Sequence, residues 1–136
     1  MPSAAYIKNL TEITVFSATS ISMTVRSGSP TAVDRRTSGG SNNAIGCDEV
    51  VLSANVTVAP SAATALQAWA SWSFDDGSTY TAYEFCGNGA VAISATGRHI
   101  IGPVKMLAPL ALFKLVAPQA ALTAALFASP SYYEGQ

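Results

Sequence analysis

Between Leu66 and Asp75 apolar side chains take every second position: Leu66, Ala68, Ala70, Trp72 and Phe74 alternate with Gln67, Trp69, Ser71, Ser73 and Asp75. Successive side chains of a strand point to opposite faces, so this spacing predicts a half-buried β-strand with one face on a core. The run ends in Asp75-Asp76-Gly77-Ser78-Thr79-Tyr80. Asp side chains bond their own backbone and Gly accepts positive φ, so the chain reverses here and returns through Tyr80 and Tyr83.

The same pattern recurs along the chain. Glu12–Phe16 and Ser20–Arg26 predict two strands, the second with Ile21, Met23 and Val25 on one face. In Val50–Val58, Val50, Leu52, Ala54, Val56 and Val58 face inward, and Pro60 and Ser61 end the strand. Gly87-Asn88-Gly89 predicts a turn into Val91, Ile93 and Ala95. Arg98–Ile101, continued to Met106, carries Pro103, the mark of an edge or bulge. Leu110–Ala117 and Ala121–Ala128, separated by Pro118-Gln119-Ala120, read as a closing hairpin. Pro109 and Pro118 leave too few residues between them for the helix that Ala and Leu favour.

The expected fold is therefore all-β: an antiparallel β-sandwich, jelly-roll or Ig-like, of about eight strands. Its expected core includes Trp72, Phe74, Val50, Leu52, Val56, Phe113 and Leu115. Residues 27–46, rich in Gly, Ser and Asn, read as a long loop. The chain of 136 residues divides into an N-terminal arm, 1–10, one sandwich domain, 11–128, and a C-terminal tail, 129–136.

Charge bounds the function. Only 11% of residues are charged, seven Lys or Arg and eight Asp or Glu, against about 25% in an average soluble protein. The exterior must then be largely Ser, Thr, Asn, Gly and Ala, which repels neighbours weakly and is cheap to bury. Packing against copies of itself or other proteins follows as the expectation. Arg35-Arg36, preceded by Asp34, is the one local basic cluster, too small for counterion-release binding to nucleic acid and readable as a solvated turn.

Lys105, Pro109, Lys114 and Pro118 interrupt the most apolar region, which argues against a membrane span, and Met1–Leu10 has no apolar run of leader length. Cys47 and Cys86 read as buried thiols of a cytoplasmically made protein.

Chemistry finds no foothold in the motifs. His99 is the only histidine and reads as a strand residue; no cofactor or metal is expected, since Cys47 and Cys86 leave a zinc site short of ligands. Asp75-Asp76 reads as turn chemistry and Asp48-Glu49 as a loop end. Ser38-Gly39-Gly40-Ser41 lacks the Lys of a phosphate loop. An enzyme is not expected. Aromatic residues are the remaining handle: Trp69 falls on the face opposite Trp72, and Tyr6, Tyr132 and Tyr133 sit in the terminal segments, where they can anchor onto a neighbouring subunit.

The order of a strand ending Ser73-Phe74-Asp75-Asp76-Gly77-Ser78-Thr79-Tyr80, a Gly-rich turn, an Arg98-led strand and Phe113-Lys114-Leu115-Val116 paired with Leu122-Thr123-Ala124-Ala125-Leu126-Phe127 resembles small β-sandwich proteins of tailed bacteriophage virions. Hairpins of the S-x-D-G-G-x-T-W type are common among them; here Asp76 stands where a glycine is frequent and Tyr80 where tryptophan is usual. The likeness covers Leu66–Ala128. It implies a capsid decoration, or cement, protein: a homo-oligomer such as a trimer that binds the major capsid protein, found in the virion after assembly in the host cytoplasm. A tail, baseplate or fibre component of the same kind of particle is the alternative. A carbohydrate-binding module using Trp69 or the tyrosines as a stacking platform is a third possibility.

Overall fold

The computed structural model describes residues 12–23, 30–36 and 46–131. Among them are eight strands and no helix: β1 (Ile13–Ile21), β2 (Val33–Asp34), β3 (Glu49–Val58), β4 (Thr64–Ser73), β5 (Glu84–Ile93), β6 (Gly97–Lys105), β7 (Leu110–Val116) and β8 (Leu122–Ser131). They form two antiparallel four-stranded sheets, in the orders β1-β8-β3-β6 and β2-β7-β4-β5. The pairs β1 with β8, β2 with β7, β3 with β6 and β4 with β5 are nested, as if one long hairpin had been rolled up. That connectivity is the jelly roll rather than the Ig-like alternative.

The core lies between the sheets. Phe113, Ile13, Ile21, Leu52, Leu66, Ile93, Ile101, Leu115 and Leu126 are fully buried, with Ala54, Ala68, Ala70, Ala124 and Ala128 filling the narrower spaces. Trp72 meets Phe113 edge to face, ring centroids 6.3 Å apart at 82°. Burying each large side chain contributes about 1.5–3 kcal/mol.

Several expectations change once the strands are paired. The first expected strand and the start of the second are one, ending at Ile21, because two bulges in β1 reset the alternation: Thr14 and Phe16 face consecutive residues Phe127 and Leu126, and a second shift follows before Thr19. Val15 and Phe16 are consequently both buried although adjacent. Residues 24–26 of the second expected strand and residues 27–29 and 37–45 of the expected long loop lie outside the described residues, while Val33–Asp34 within the loop forms the short strand β2.

Phe74, expected in the core, is 68% exposed. Strand β4 stops at Ser73, whose hydroxyl donates to Asp75 Oδ1 and accepts from the Gly77 amide, so the chain leaves the sheet at Phe74, before the alternation ends at Asp75. Asp76 and Gly77 supply the positive φ values, 66° and 84°. The Thr79 hydroxyl and amide and the Ser73 hydroxyl all donate to Asp75, and these bonds hold its carboxyl below the usual range. The turn reading of Asp75-Asp76 is thus what the geometry contains. Val58, expected inward, is exposed: the pairing with β6 ends at Val56, and a register shift between Val56 and Val58 resets the alternation where Val58 pairs with Thr123 of β8.

The return strand starts at Glu84 rather than Tyr80; Thr81 reaches β4 instead through bonds to both backbone groups of Trp72. Gly87-Asn88-Gly89 does not begin a new strand. It is a bulge inside β5, where Cys86 and Val91 pair with Ala68 and Leu66. Pro103 lies on β6, an edge strand, next to a register shift opposite Leu52 and Ser53.

The expected closing hairpin is absent: β7 pairs with β2 and β4, and β8 with β1 and β3, in the other sheet. Residues 117–121 instead cross the sandwich and are fastened to the start of β4. Thr64 Oγ1 accepts from the amides of Gln119 and Ala120, and Gln119 Oε1 accepts from the Ala65 amide at 2.7 Å. Strand β8 also runs past the expected domain boundary, its last residues Ser129, Pro130 and Ser131 pairing with Val51, Val50 and Glu49.

Candidate interaction surface

Alternation along β4 turns Trp69 away from the core onto the outer face of the second sheet, where it is half-buried. Register places Phe85 of β5 on one side of it and Lys114 of β7 on the other. The Trp69 and Phe85 rings meet edge to face with centroids 5.8 Å apart at 71°. The Lys114 ammonium lies 5.7 Å from the Trp69 ring centroid and 4.4 Å from that of Tyr83. Trp69 Nε1 donates to Gln67 Oε1 at 3.1 Å, and Leu112 and Val116 extend the patch along β7, both half-buried. A cation at a partly exposed aromatic face contributes about 0.5–1 kcal/mol and an aromatic pair about 0.5–1.5 kcal/mol. These contacts hold the side chains in place as a preformed platform.

Two arginines, Arg36 and Arg98, are paired with carboxylates within the subunit. Asp34, buried on β2, accepts from the Arg36 amide at 2.8 Å and from its Nε and Nη2 at 3.0 and 2.9 Å. Those bonds from the Arg36 guanidinium hold the Asp34 carboxyl below the usual range against the opposing effect of burial. Arg36 also pairs with Asp76, tying β2 to the β4–β5 turn. Arg35-Arg36 is a turn with Arg36 exposed, as expected, and Arg36 makes it an ion-pair clasp as well.

On the outer face of the first sheet Arg98 braces four strands. From β6 its guanidinium donates to Ser53 Oγ of β3, lies 4.4 Å from the Phe127 ring centroid of β8, and pairs with Glu12 beside β1. Ser53 is buried beneath it, while Ile100 on the same sheet is exposed.

Cys47 and Cys86 are free thiols, Cys47 buried and Cys86 half-buried. Burial pushes them up to about 11 and about 12, so neither is a thiolate at neutral pH. His99 pairs with Ala54 on edge strand β6 and its Nε2 donates to the Ala95 carbonyl. Among the described residues no three His, Cys, Asp or Glu side chains gather as a metal ion would require.

Of the aromatic residues singled out in the sequence, Trp69 stands at the centre of this patch; Tyr6, Tyr132 and Tyr133 lie outside the described residues. Phe85, Tyr83 and Lys114 escaped the sequence reading. Tyr83 and Phe85 carry a faint signal in their two-residue spacing, but only strand pairing brings Phe85 and Lys114 to Trp69, with Tyr83 reached through Lys114. No family model matches the chain, and neither a curated protein nor a solved structure matches it.

Proposed function

We propose that this protein is a structural component of a virus particle, a decoration or cement subunit that binds the head shell of a tailed bacteriophage and acts through contacts with the major capsid protein and with its own copies. The aromatic platform around Trp69 carries the proposal. A large, preorganised, weakly charged patch on an outer sheet face is what a subunit covered by neighbours needs, since aromatic anchors supply much of the binding energy of such contacts. The internal pairing of Arg36 with Asp34 and Asp76, and of Arg98 with Glu12, supports it by lowering the charge that a neighbour would have to desolvate.

The test is to add purified protein to undecorated heads and, separately, to tails, and to measure what sediments with each. Saturable binding to heads is expected, weakened at least about tenfold in Trp69→Ala by loss of the central anchor. Absence of binding to either particle refutes the proposal, and binding to tails alone moves the subunit to the tail.

The strand order favours a second reading, a subunit that forms the shell itself, because eight-stranded jelly rolls recur among capsid and lectin domains. Closed particles formed by the protein alone, seen by electron microscopy, would select it. Sugar binding draws less support: Lys114 lies over the Trp69 ring, on the aromatic surface that a sugar would stack against.

A further inference from the structure

Among the described arginines, Arg35 alone has no carboxylate partner. Arg36 pairs with Asp34 and Asp76, and Arg98 with Glu12. Arg35 is half-buried, and its Nε is wholly buried with no acceptor. Buried donors nearly always find partners, and a buried charge is costly without one. A guanidinium cannot shed its charge to escape that cost. Nor is the backbone free to carry it into solvent: the Arg35 amide donates to the Pro109 carbonyl at 3.0 Å, and its carbonyl accepts from the Gly46 amide at 2.7 Å.

This charge sits where the last strand ends. Gly46, bonded to Arg35, and Asp48, whose amide donates to the Ser131 carbonyl at 3.1 Å, are separated only by Cys47. Burial raises the Cys47 thiol and the Arg35 charge opposes that rise, which puts the guanidinium within electrostatic reach of Cys47. Ser131 closes β8, and residues 132–136 continue from there.

The inventory of carboxylates selects the partner. All the Asp and Glu of the chain except Glu134 lie among the described residues, and none of those forms an ion pair with Arg35. Glu12 is engaged by Arg98, Asp34 and Asp76 by Arg36, and Asp75 by the Thr79 and Ser73 hydroxyls. The stretch 37–45, next to Arg35 in sequence, contains no acidic residue, and neither do 1–11 and 24–29. Glu134 stands three residues past Ser131, a span of about 10 Å in extended chain. Its rival cation is Lys105, which lies across Glu49 from Ser131 but is exposed, and an exposed, hydrated ammonium gains little from a partner.

We propose that Arg35 is a carboxylate-binding site whose ligand is Glu134 of the same chain, so that residues 132–136 close back over the corner formed by Arg35 and Cys47. A guanidinium offers a carboxylate two parallel N–H donors, a stronger and more directional contact than a neutral hydrogen bond. Tyr132 and Tyr133 stand between Ser131 and Glu134, so the pair fixes both rings at this end of the sandwich. Phe74 and Leu107 are exposed at the same end: Leu107 lies in the loop that Asp48 and Arg35 hold through Met106 and Pro109, and Phe74 follows Ser73, the partner of Leu110. A neighbour then meets tyrosines that are already in place, which lowers the entropy cost of contact. The site stands whatever particle the protein joins.

The experiment is an NMR pH titration of the Glu134 side chain in the full-length wild type, Arg35→Gln and Lys105→Gln, with circular dichroism to show that each is folded. In wild type the Glu134 midpoint is expected about one pH unit below the ordinary glutamate value of about 4.3. Arg35→Gln should return it to that value, and Lys105→Gln should leave it lowered. If Arg35→Gln does not fold, Arg35→Lys takes its place: lysine keeps the charge but loses the paired donors, and the displacement of the midpoint should shrink. A wild-type midpoint at the ordinary value, or one that responds to Lys105→Gln and not to the Arg35 variants, overturns the inference. Repeating the titration on dilution to single subunits, checked by sedimentation velocity, identifies whose tail is bound. A lowered midpoint that persists supports the chain's own Glu134; one that is lost overturns that assignment and gives the site to a neighbour's tail.

Discussion

Replacing Phe113 by alanine, with Phe74→Ala as its counterpart, separates the roles of two phenylalanines that sequence alternation puts in the same core. Phe113 is fully buried on β7 and meets Trp72 at 6.3 Å, whereas Phe74 is 68% exposed just past the end of β4. Emptying a fully buried phenylalanine site costs about 3–5 kcal/mol, including the aromatic contact with Trp72. A chain of this length has a total stability of roughly 7–20 kcal/mol, so the loss is a large share. At about 3–5 °C per kcal/mol for a domain of this size, the Tm of Phe113→Ala should fall by roughly 10–20 °C. Phe74→Ala removes a side chain that contacts mostly water and should change stability by no more than about 0.5 kcal/mol. Urea unfolding followed by tryptophan fluorescence measures both, and the midpoint should move in Phe113→Ala with little change in slope. Equal destabilisation by the two substitutions would refute the reasoning, because it would mean that β4 continues inward past Ser73.

Three other outcomes follow from the structure. Thr64→Val keeps the shape of a buried side chain but removes the acceptor for the Gln119 and Ala120 amides; a loss of about 1–3 kcal/mol in urea unfolding is expected, and Thr64→Ser should recover most of it. Because Arg36 lowers the folded-state value of Asp34, the stability this carboxylate contributes is present above its ordinary range near 3.8 and is lost as the pH falls through the lower folded value. Unfolding titrations below pH 4 should accordingly be less steep in pH for Asp34→Asn than for wild type. Cys47 and Cys86, pushed from 9.0 up to about 11 and about 12, should alkylate at pH 8 about a hundredfold or more slower in the native protein than after denaturation, as mass spectrometry can follow.

Element type and much of the burial can be read from residue order alone. Alternation in Leu66–Ser73, Val50–Val56 and Leu110–Ala117 is a local consequence of side chains pointing to opposite faces, so it survives without knowledge of any partner strand. The same logic put Trp69 on the outside and Trp72 within, and local side-chain bonding fixed the Asp75-Asp76-Gly77 reversal.

What stayed hidden depends on contacts between residues far apart in the chain. The bulges that make Ile13–Ile21 one strand can be seen only against β8, because a register shift belongs to a pair of strands. The last two strands look like a hairpin in one dimension. Tertiary structure sends them to different sheets, since each finds two partners there and the Pro118–Ala121 segment is fastened to Thr64 and Ala65. Pairing alone assembles Phe85, Trp69 and Lys114 from three strands, with Tyr83, just before β5, against Lys114. A low charge content is a property of composition; where the few charges go is decided by the fold, because salt bridges such as Arg36–Asp76 and Arg98–Glu12 span 40 and 86 residues of sequence.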